Sequence, residues 1–234
     1  MSIHQKFSIE QWDFKSDSVL VNLPETDKAI LLAHQTEQYY DKGEIIFREN
    51  SYPSGIFYIV NGKVKKFKID KNRKEHIIYV ANTGELIGYH AILSGDRFPD
   101  SAAALEKSIV AFIPKEDFLH ALSTSALLGT RLLKTLSHEF AVLANSLSII
   151  AQKSVRERLA LQLVVLREKY KDHFIEGNTV SINLSREDLA NLVGTARENV
   201  VRILSEFKEE GWLITKGRTI VILDVDALIK VANM

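Results

Sequence analysis

Arg197, Glu198 and Arg202 lie within the stretch GTARENVVRILSEF, Gly194 to Phe207. On a helix turning about 100° per residue, they share one side with Val201. The opposite arc is apolar and carries Ala196, Val200, Ile203, Leu204 and Phe207. An apolar arc explains how a helix docks. It gives no reason for the outward side to open Arg-Glu and then repeat Arg. The chemistry open to those residue types is the reading of base edges. A guanidinium offers a planar fork to guanine O6 and N7, a carboxylate accepts from a cytosine amino group, and a valine can touch a thymine methyl. Taken alone, the residues suit a solvated face equally well, with Glu198 acting only as a cap.

The elements around them decide between these readings. The longer stretch is SREDLANLVGTARENVVRILSEF, starting at Ser185. Ser185 with Asp188 caps a short helix, and Leu189, Ala190 and Val193 give that helix an apolar side. Gly194 stops it where the backbone must turn left-handed. Thr195 with Glu198 reads as a capping box, so a second helix is expected at once. Two helices joined so tightly cross steeply, with small Ala190 where they approach. Trp212-Leu213-Ile214, a turn at Lys216-Gly217, and Thr219-Ile220-Val221-Ile222 then read as a two-stranded wing. Helix, glycine turn, basic helix and wing in that order predict a winged helix-turn-helix bound to double-stranded DNA. Arg197, Glu198, Arg202 and Val201 are the expected base contacts. Ser185, Arg186, Thr195, Lys216 and Arg218 are the expected phosphate contacts.

The chain as a whole has 234 residues, with 46% apolar and 26% charged, the usual balance for a globular protein. Its 30 basic and 30 acidic residues cancel, so affinity for a polyanion must come from a local patch. No cysteine is present, which removes disulfides, thiolate-held metals, iron–sulfur clusters and a thiol nucleophile. The opening MSIHQKFSIEQWDF has no apolar core of the kind a secretory signal needs. No run approaches the roughly 20 apolar residues of a membrane span, so no membrane partner and a cytoplasmic location are expected.

From Tyr39 to about Pro114 the pattern is strand-like. GIFYIV (Gly55–Val60) is followed by Asn61-Gly62, read here as a hairpin turn. Phe67 and Ile69 alternate with lysines, and HIIYVA (His76–Ala81) and SIVAFI (Ser108–Ile113) are further strands. Such close spacing suggests an antiparallel barrel or double-sheet roll. The period then changes. Leu132, Leu136, Phe140, Leu143, Leu147 and Ile150 recur at three- and four-residue steps, which predicts one helix from about Ala126 to Ala151. Ser154-Val155-Arg156-Glu157 is a capping box opening another helix to about Tyr170. The long apolar stripe is expected to be the seam of a homodimer.

With these residues in place, the chain resembles the Crp/Fnr family of bacterial transcription regulators over nearly its whole length. The resemblance rests on Gly43-Glu44, Gly62, the Gly84…Gly88 turn, the long helix and SREDLANLVGTARENVVRIL. It implies an α+β fold: an N-terminal antiparallel β jelly roll that senses an effector (1–125), a dimerisation helix (126–153) and a C-terminal winged helix-turn-helix (154–234). It also implies that Arg197, Glu198 and Arg202 form the trio that reads a TGTGA-like palindrome, with half-sites roughly 34 Å apart. RNA polymerase is implied as a further partner.

Relatives that bind cyclic AMP carry a Gly-Glu-Leu step whose carboxylate holds the ribose, and an Arg-Ser pair that neutralises the phosphate. Those positions fall here on Gly88-Tyr89-His90 and Asp100-Ser101. Tyr89 replaces the ribose carboxylate and Asp100 replaces the phosphate arginine, and the facing long-helix positions are Leu143 and Ala144. A carboxylate opposite a cyclic phosphate is repulsive, so little or no cyclic AMP binding is expected. Haem would need axial ligands from His76 or His90, and a lone histidine in a roll is more often structural. An apolar or aromatic acid beside Tyr89 and His90 stays open, as does a dimer competent without ligand. No cofactor is expected. A metal-dependent enzyme in the roll is disfavoured because the histidines at 34, 76, 90 and 120 show no His-x-Asp/Glu spacing. A winged helix that binds protein would not call for those three side-chain types.

Overall fold

The computed structural model describes residues 7–14, 16, 19–171, 174–175 and 179–233. The chain divides into two compact units. One is Phe14–Phe140. The other is Ala141–Met234 together with the N-terminal segment up to Asp13. The division therefore passes through the long helix, where the sequence had suggested boundaries after residues 125 and 153.

In the first unit, helix α1 (Glu25–Leu31) precedes strands β1 (Thr36–Tyr40), β2 (Ile45–Phe47), β3 (Gly55–Asn61), β4 (Lys63–Ile69), β5 (Glu75–Asn82) and β6 (Leu86–Ile87). A short helix α2 (Tyr89–Ser94), β7 (Ser101–Ala104), β8 (Ser108–Pro114) and α3 (Lys115–Thr124) follow, and α4 (Ala126–Gln152) begins here. The strands form two four-stranded antiparallel sheets, ordered β1-β8-β3-β6 and β2-β7-β4-β5. This is the expected double-sheet roll. Its interior is filled by Ile56, Ile59, Val64, Phe67, Ile77, Val110 and Ile113, all buried. Each such side chain contributes about 1.5–3 kcal/mol of hydrophobic stabilisation.

Asn61-Gly62 is not a hairpin. β3 pairs with β6 and β8, whereas β4 pairs with β5 and β7, so these residues carry the chain from one sheet to the other. Gly62 has φ 100°, and a Cβ there would stand 2.3 Å from Ser108 Oγ. The glycine serves a crowded corner. The local hairpin is β4–β5, whose turn is held by the Asp70 carboxylate accepting from Asn72 N and Lys74 N, both at 2.8 Å.

α1, α3 and the start of α4 close one end of the roll. Leu31, Phe118, Ala121, Leu128 and Leu132 pack with Ile56, Leu86, Tyr89 and Ile113. This corrects the expected seam. Leu132 is only 2% exposed and belongs to the core, while Leu133 next to it is 67% exposed. Phe140 and Leu147 are 75% and 71% exposed, with Leu143 and Ile150 also outward and Leu136 half-buried. The outward stripe is thus Leu133, Leu136, Phe140, Leu143, Leu147 and Ile150. It keeps a strict seven-residue period of alternating three- and four-residue steps. Leu132 and Leu133 both satisfy helical spacing, and only the roll's core selects between them.

In the second unit, α5 (Val155–Lys169) opens with the expected capping box: Ser154 accepts from Glu157 N, and the Glu157 carboxylate accepts from Ser154 N. Then come β9 (Phe174–Ile175), β10 (Thr179–Asn183), α6 (Arg186–Val193), α7 (Arg197–Glu209), β11 (Leu213–Lys216), β12 (Thr219–Ile222) and α8 (Val225–Ala232). The wing is part of a four-stranded sheet, β11-β12-β10-β9, rather than a lone hairpin. The N-terminal segment packs in the same unit. Asn145 Nδ2 donates to Gln11 O at 3.0 Å, and Lys169 Nζ lies 3.0 Å from Asp13 Oδ1 in a buried ion pair.

Candidate nucleic-acid interface and sensor interior

The helix pair forms much as its residue types dictate. Ser185 Oγ accepts from Asp188 N at 3.0 Å and donates to Asp188 Oδ2 at 2.5 Å, fixing the start of α6. Leu189, Ala190 and Val193 are buried as expected. Gly194 ends the helix at φ 72°, ψ 48°, a left-handed conformation in which a Cβ is disfavoured.

The start of α7 differs by one residue from expectation. Ala196 is the cap and makes no side-chain bond, so the Thr195–Glu198 capping box is absent. Thr195 N already donates to Ala190 O at 3.1 Å, which extends the turn past this residue. Its buried hydroxyl accepts from Asn199 Nδ2 at 3.1 Å, so it is not offered to phosphate. Ala196 is exposed and drops out of the apolar arc.

The rest of that arc holds. Val200, Ile203, Leu204 and Phe207 are buried, while Arg197, Glu198, Val201 and Arg202 are exposed. Lys216 and Arg218 flank the wing turn and are exposed, with Gly217 at φ 57° between them. Arg186 behaves differently from the phosphate contact expected of it. Its Nη2 and Nη1 donate to the wing carbonyls of Gly217 and Arg218 at 3.2 and 3.4 Å. Loss of water around that guanidinium pulls its pKa below the ordinary value. It braces the wing.

Sequence reasoning missed Arg158, for which no motif signals. Nε donates to Val193 O at 3.1 Å, Nη1 to Lys153 O at 3.0 Å and Nη2 to Gly194 O at 3.4 Å. It satisfies carbonyls at the end of α6 that the helix itself leaves unbonded, and ties them to the break between α4 and α5.

In the roll, the polar positions expected to line an effector pocket are committed to other groups of the protein. Tyr89 is fully buried and its hydroxyl donates to Glu139 Oε1 at 2.6 Å. His90 stacks on Tyr89 with ring centroids 4.3 Å apart, and its Nε2 lies 2.6 Å from Glu139 Oε2. Asp100 is buried in an ion pair with Lys66 at 2.9 Å. Asp100 is therefore not the bare carboxylate the sequence suggested. Ser101 Oγ accepts from Glu49 N at 2.9 Å. A Cβ on Gly88 would meet Phe98 at 3.1 Å, Phe57 at 3.5 Å and Phe47 at 3.6 Å. Arg97 points outward, over the Tyr52 ring at 4.0 Å. Leu143 and Ala144, expected to face this site, are exposed, and Leu143 belongs to the outward stripe of α4. The residue that α4 supplies to Tyr89 and His90 is Glu139.

Burial raises the Glu139 pKa, but the hydrogen bond and charge of His90, the Tyr89 hydroxyl and the Lys66 ammonium outweigh it, so the net shift is downward. An ionised carboxylate only accepts, so His90 Nε2 carries the proton between them. Burial, then the Glu139 charge, pushes Tyr89 far up, keeping it a donor.

A cyclic nucleotide-binding domain matches residues 37–125, and a Crp-like helix-turn-helix domain matches residues 157–231. The chain belongs to the Crp/Fnr family of transcription regulators. It is similar to the fumarate and nitrate reduction regulatory protein of Escherichia coli (strain K12), with 28% identity over 192 residues, 82% of this chain and 76% of that one. The fold is that of FixK2 from Bradyrhizobium japonicum, with a TM-score of 0.75, 22% identity, and coverage of 84% of this chain and 96% of that one. It is also that of the c-di-GMP responsive global regulator CLP from Xanthomonas campestris (TM-score 0.69, 24% identity, 85% and 98% covered). The Crp/Fnr helix-turn-helix binds DNA, and the relatives are regulators rather than enzymes. Among the described residues, no helix is long and apolar enough to cross a membrane, and no cluster of His, Cys, Asp and Glu could hold a metal ion.

A depressed carboxylate pKa contributes stability above the ordinary value of 4.5, and that contribution is lost as pH falls through the folded-state pKa. Glu139→Gln is expected to cost about 2 kcal/mol near pH 7, because one donor loses its acceptor. Thermal melts between pH 3 and pH 7 should show the gap from wild type closing on the acid side. A gap independent of pH would place the cost in packing instead.

Proposed function

We propose that this Crp/Fnr regulator is a homodimer whose paired α7 helices read a TGTGA-like palindrome. Arg197 and Arg202 hydrogen-bond guanines, Glu198 accepts from a cytosine amino group, and Val201 touches a thymine methyl. Lys216 and Arg218 engage phosphate from the wing, and the capped start of α6 at Ser185 lies at the backbone. One observation carries the reading. All four proposed base-reading side chains project from the exposed side of a helix whose other side is buried. Arg197→Ala is expected to cost about 1–3 kcal/mol on the palindrome and to relax preference at a single base pair per half-site, measured by titration of single-substituted duplexes. An equal loss on unrelated DNA would make Arg197 a phosphate contact.

The dimer reading rests on the exposed stripe of α4, since a seven-residue repeat of large apolar side chains favours a second copy of itself. Two-fold symmetry then matches a palindromic site. Leu147→Asp should shift the species seen by light scattering from dimer to monomer. A dimer that survives would move the interface elsewhere.

The sensor reading follows from the roll's interior. Tyr89, Asp100 and Glu139 already hold partners of their own, so a cyclic phosphate and ribose would have to break two buried polar pairs. Cyclic AMP is therefore not the effector. Calorimetry with millimolar cyclic AMP is expected to show no saturable heat, and micromolar affinity would overturn this reading. RNA polymerase is the further proposed partner and the cytoplasm the proposed location, both following from regulation at a promoter.

A further inference from the structure

Arg202 is tethered. Its Nη1 donates to Glu206 Oε1 at 2.5 Å, one turn further along α7. The other oxygen of that carboxylate accepts from Arg156 Nη1, also at 2.5 Å. Arg156 stands in the first turn of α5. Its Nη2 reaches both oxygens of Glu210 at 2.8 and 2.9 Å. Its guanidinium also lies over the Phe207 ring at 4.7 Å and the Trp212 ring at 5.5 Å. Arg156 is held by charge on one edge and by ring faces below, and it holds Glu206 in turn.

Helix stability does not account for the Arg202–Glu206 pair. In an i, i+4 pair the acid is better placed first, and here the arginine precedes it. Burial does not account for it either, since the two side chains are 63% and 34% exposed. What the pair does is restrict direction. An untethered exposed arginine keeps its rotamer freedom and can swing to any phosphate or groove edge within reach. Tied through one Nη to a fixed carboxylate, it keeps Nε and the other Nη for a base, presented along a single line. Two arginines and two carboxylates close their charge upon each other. The cluster therefore adds orientation without adding net attraction to a polyanion.

We propose that Glu206, anchored by Arg156, is a positioning residue that sets how sharply Arg202 discriminates its base pair. This rests on the reading of Arg202 as a base contact.

The test uses the full chain as wild type, R197A, R202A, E206Q and E206D. Each is put through selection from a random duplex library, then titrated on the wild-type consensus, on its single-base-pair variants and on unrelated duplex. E206Q is expected to keep the consensus. It should lose about three- to tenfold of discrimination at the base pair whose preference R202A erases, and nowhere else. Affinity for unrelated duplex should hold or rise. E206D keeps the charge but shortens the reach, and should show the same local loss. Equal loss at every position, including the pair assigned to Arg197, would mean that α7 has shifted, and would overturn the positioning role. So would an E206Q variant that keeps a preference R202A erases. If R202A leaves every preference intact, the base-reading role has itself failed, and the positioning role falls with it.

Discussion

The constraint from which the rest follows is that α4 carries two apolar stripes on adjacent faces. Leu128 and Leu132 enter the core of the roll, and Leu133, Phe140 and Leu147 point away from it. A single small unit can satisfy only one stripe. The inner stripe is also not uniformly apolar: Thr135 and Glu139 are buried on it. Burying a carboxylate is expensive unless its lone pairs are met, and Tyr89 and His90 meet them. A helix position is thereby chemically matched to the short helix α2, whose first two residues are Tyr89 and His90.

In the second unit, a comparable sharing of polar groups shapes the helix-turn-helix. The short turn between α6 and α7 depends on Gly194 in a left-handed conformation, which leaves the carbonyls of Val193 and Gly194 without helical partners. Arg158 supplies those partners and reaches Lys153 O as well. Arg186 does the same for the wing turn. Of the arginines in this unit, some are spent on backbone and some stand outward. Residue type alone does not separate the two groups. Distance to an unbonded carbonyl does.

Much of this was legible in the sequence because it rests on local rules. The capping box at Ser154, the cap at Ser185, the stop at Gly194 and the buried side of α7 all follow from spacing within a turn or two. What failed depended on distant residues. Asn61-Gly62 has hairpin chemistry, yet β3 and β4 belong to different sheets because of where β7 and β8 pair. Leu132 and Leu133 are indistinguishable until α3 and β8 supply a core. Thr195 has the composition of a cap, but its amide was taken by Ala190 O across the turn. Tyr89 and Asp100 read in the sequence as effector-pocket positions, and in the structure both are buried and paired with protein groups. Their partners, Glu139 and Lys66, lie 50 and 34 residues away, and no local pattern signals either. The strands β9 and β10 and helix α8 lay in stretches whose periodicity was too short to read.

The ion pair of Asp13 with Lys169 has a consequence for how this polypeptide acquires its shape. The unit that carries α7 is discontinuous along the chain, since the segment ending at Asp13 leaves the ribosome before the whole roll and docks with α5, made after it. During synthesis, an aspartate destined for burial must wait some 150 residues for its counter-ion. A fragment cut out at the α4–α5 junction would strip Lys169 of that carboxylate. The helix-turn-helix unit thus draws on both ends of the sequence, even though its motif reads as though it could be excised.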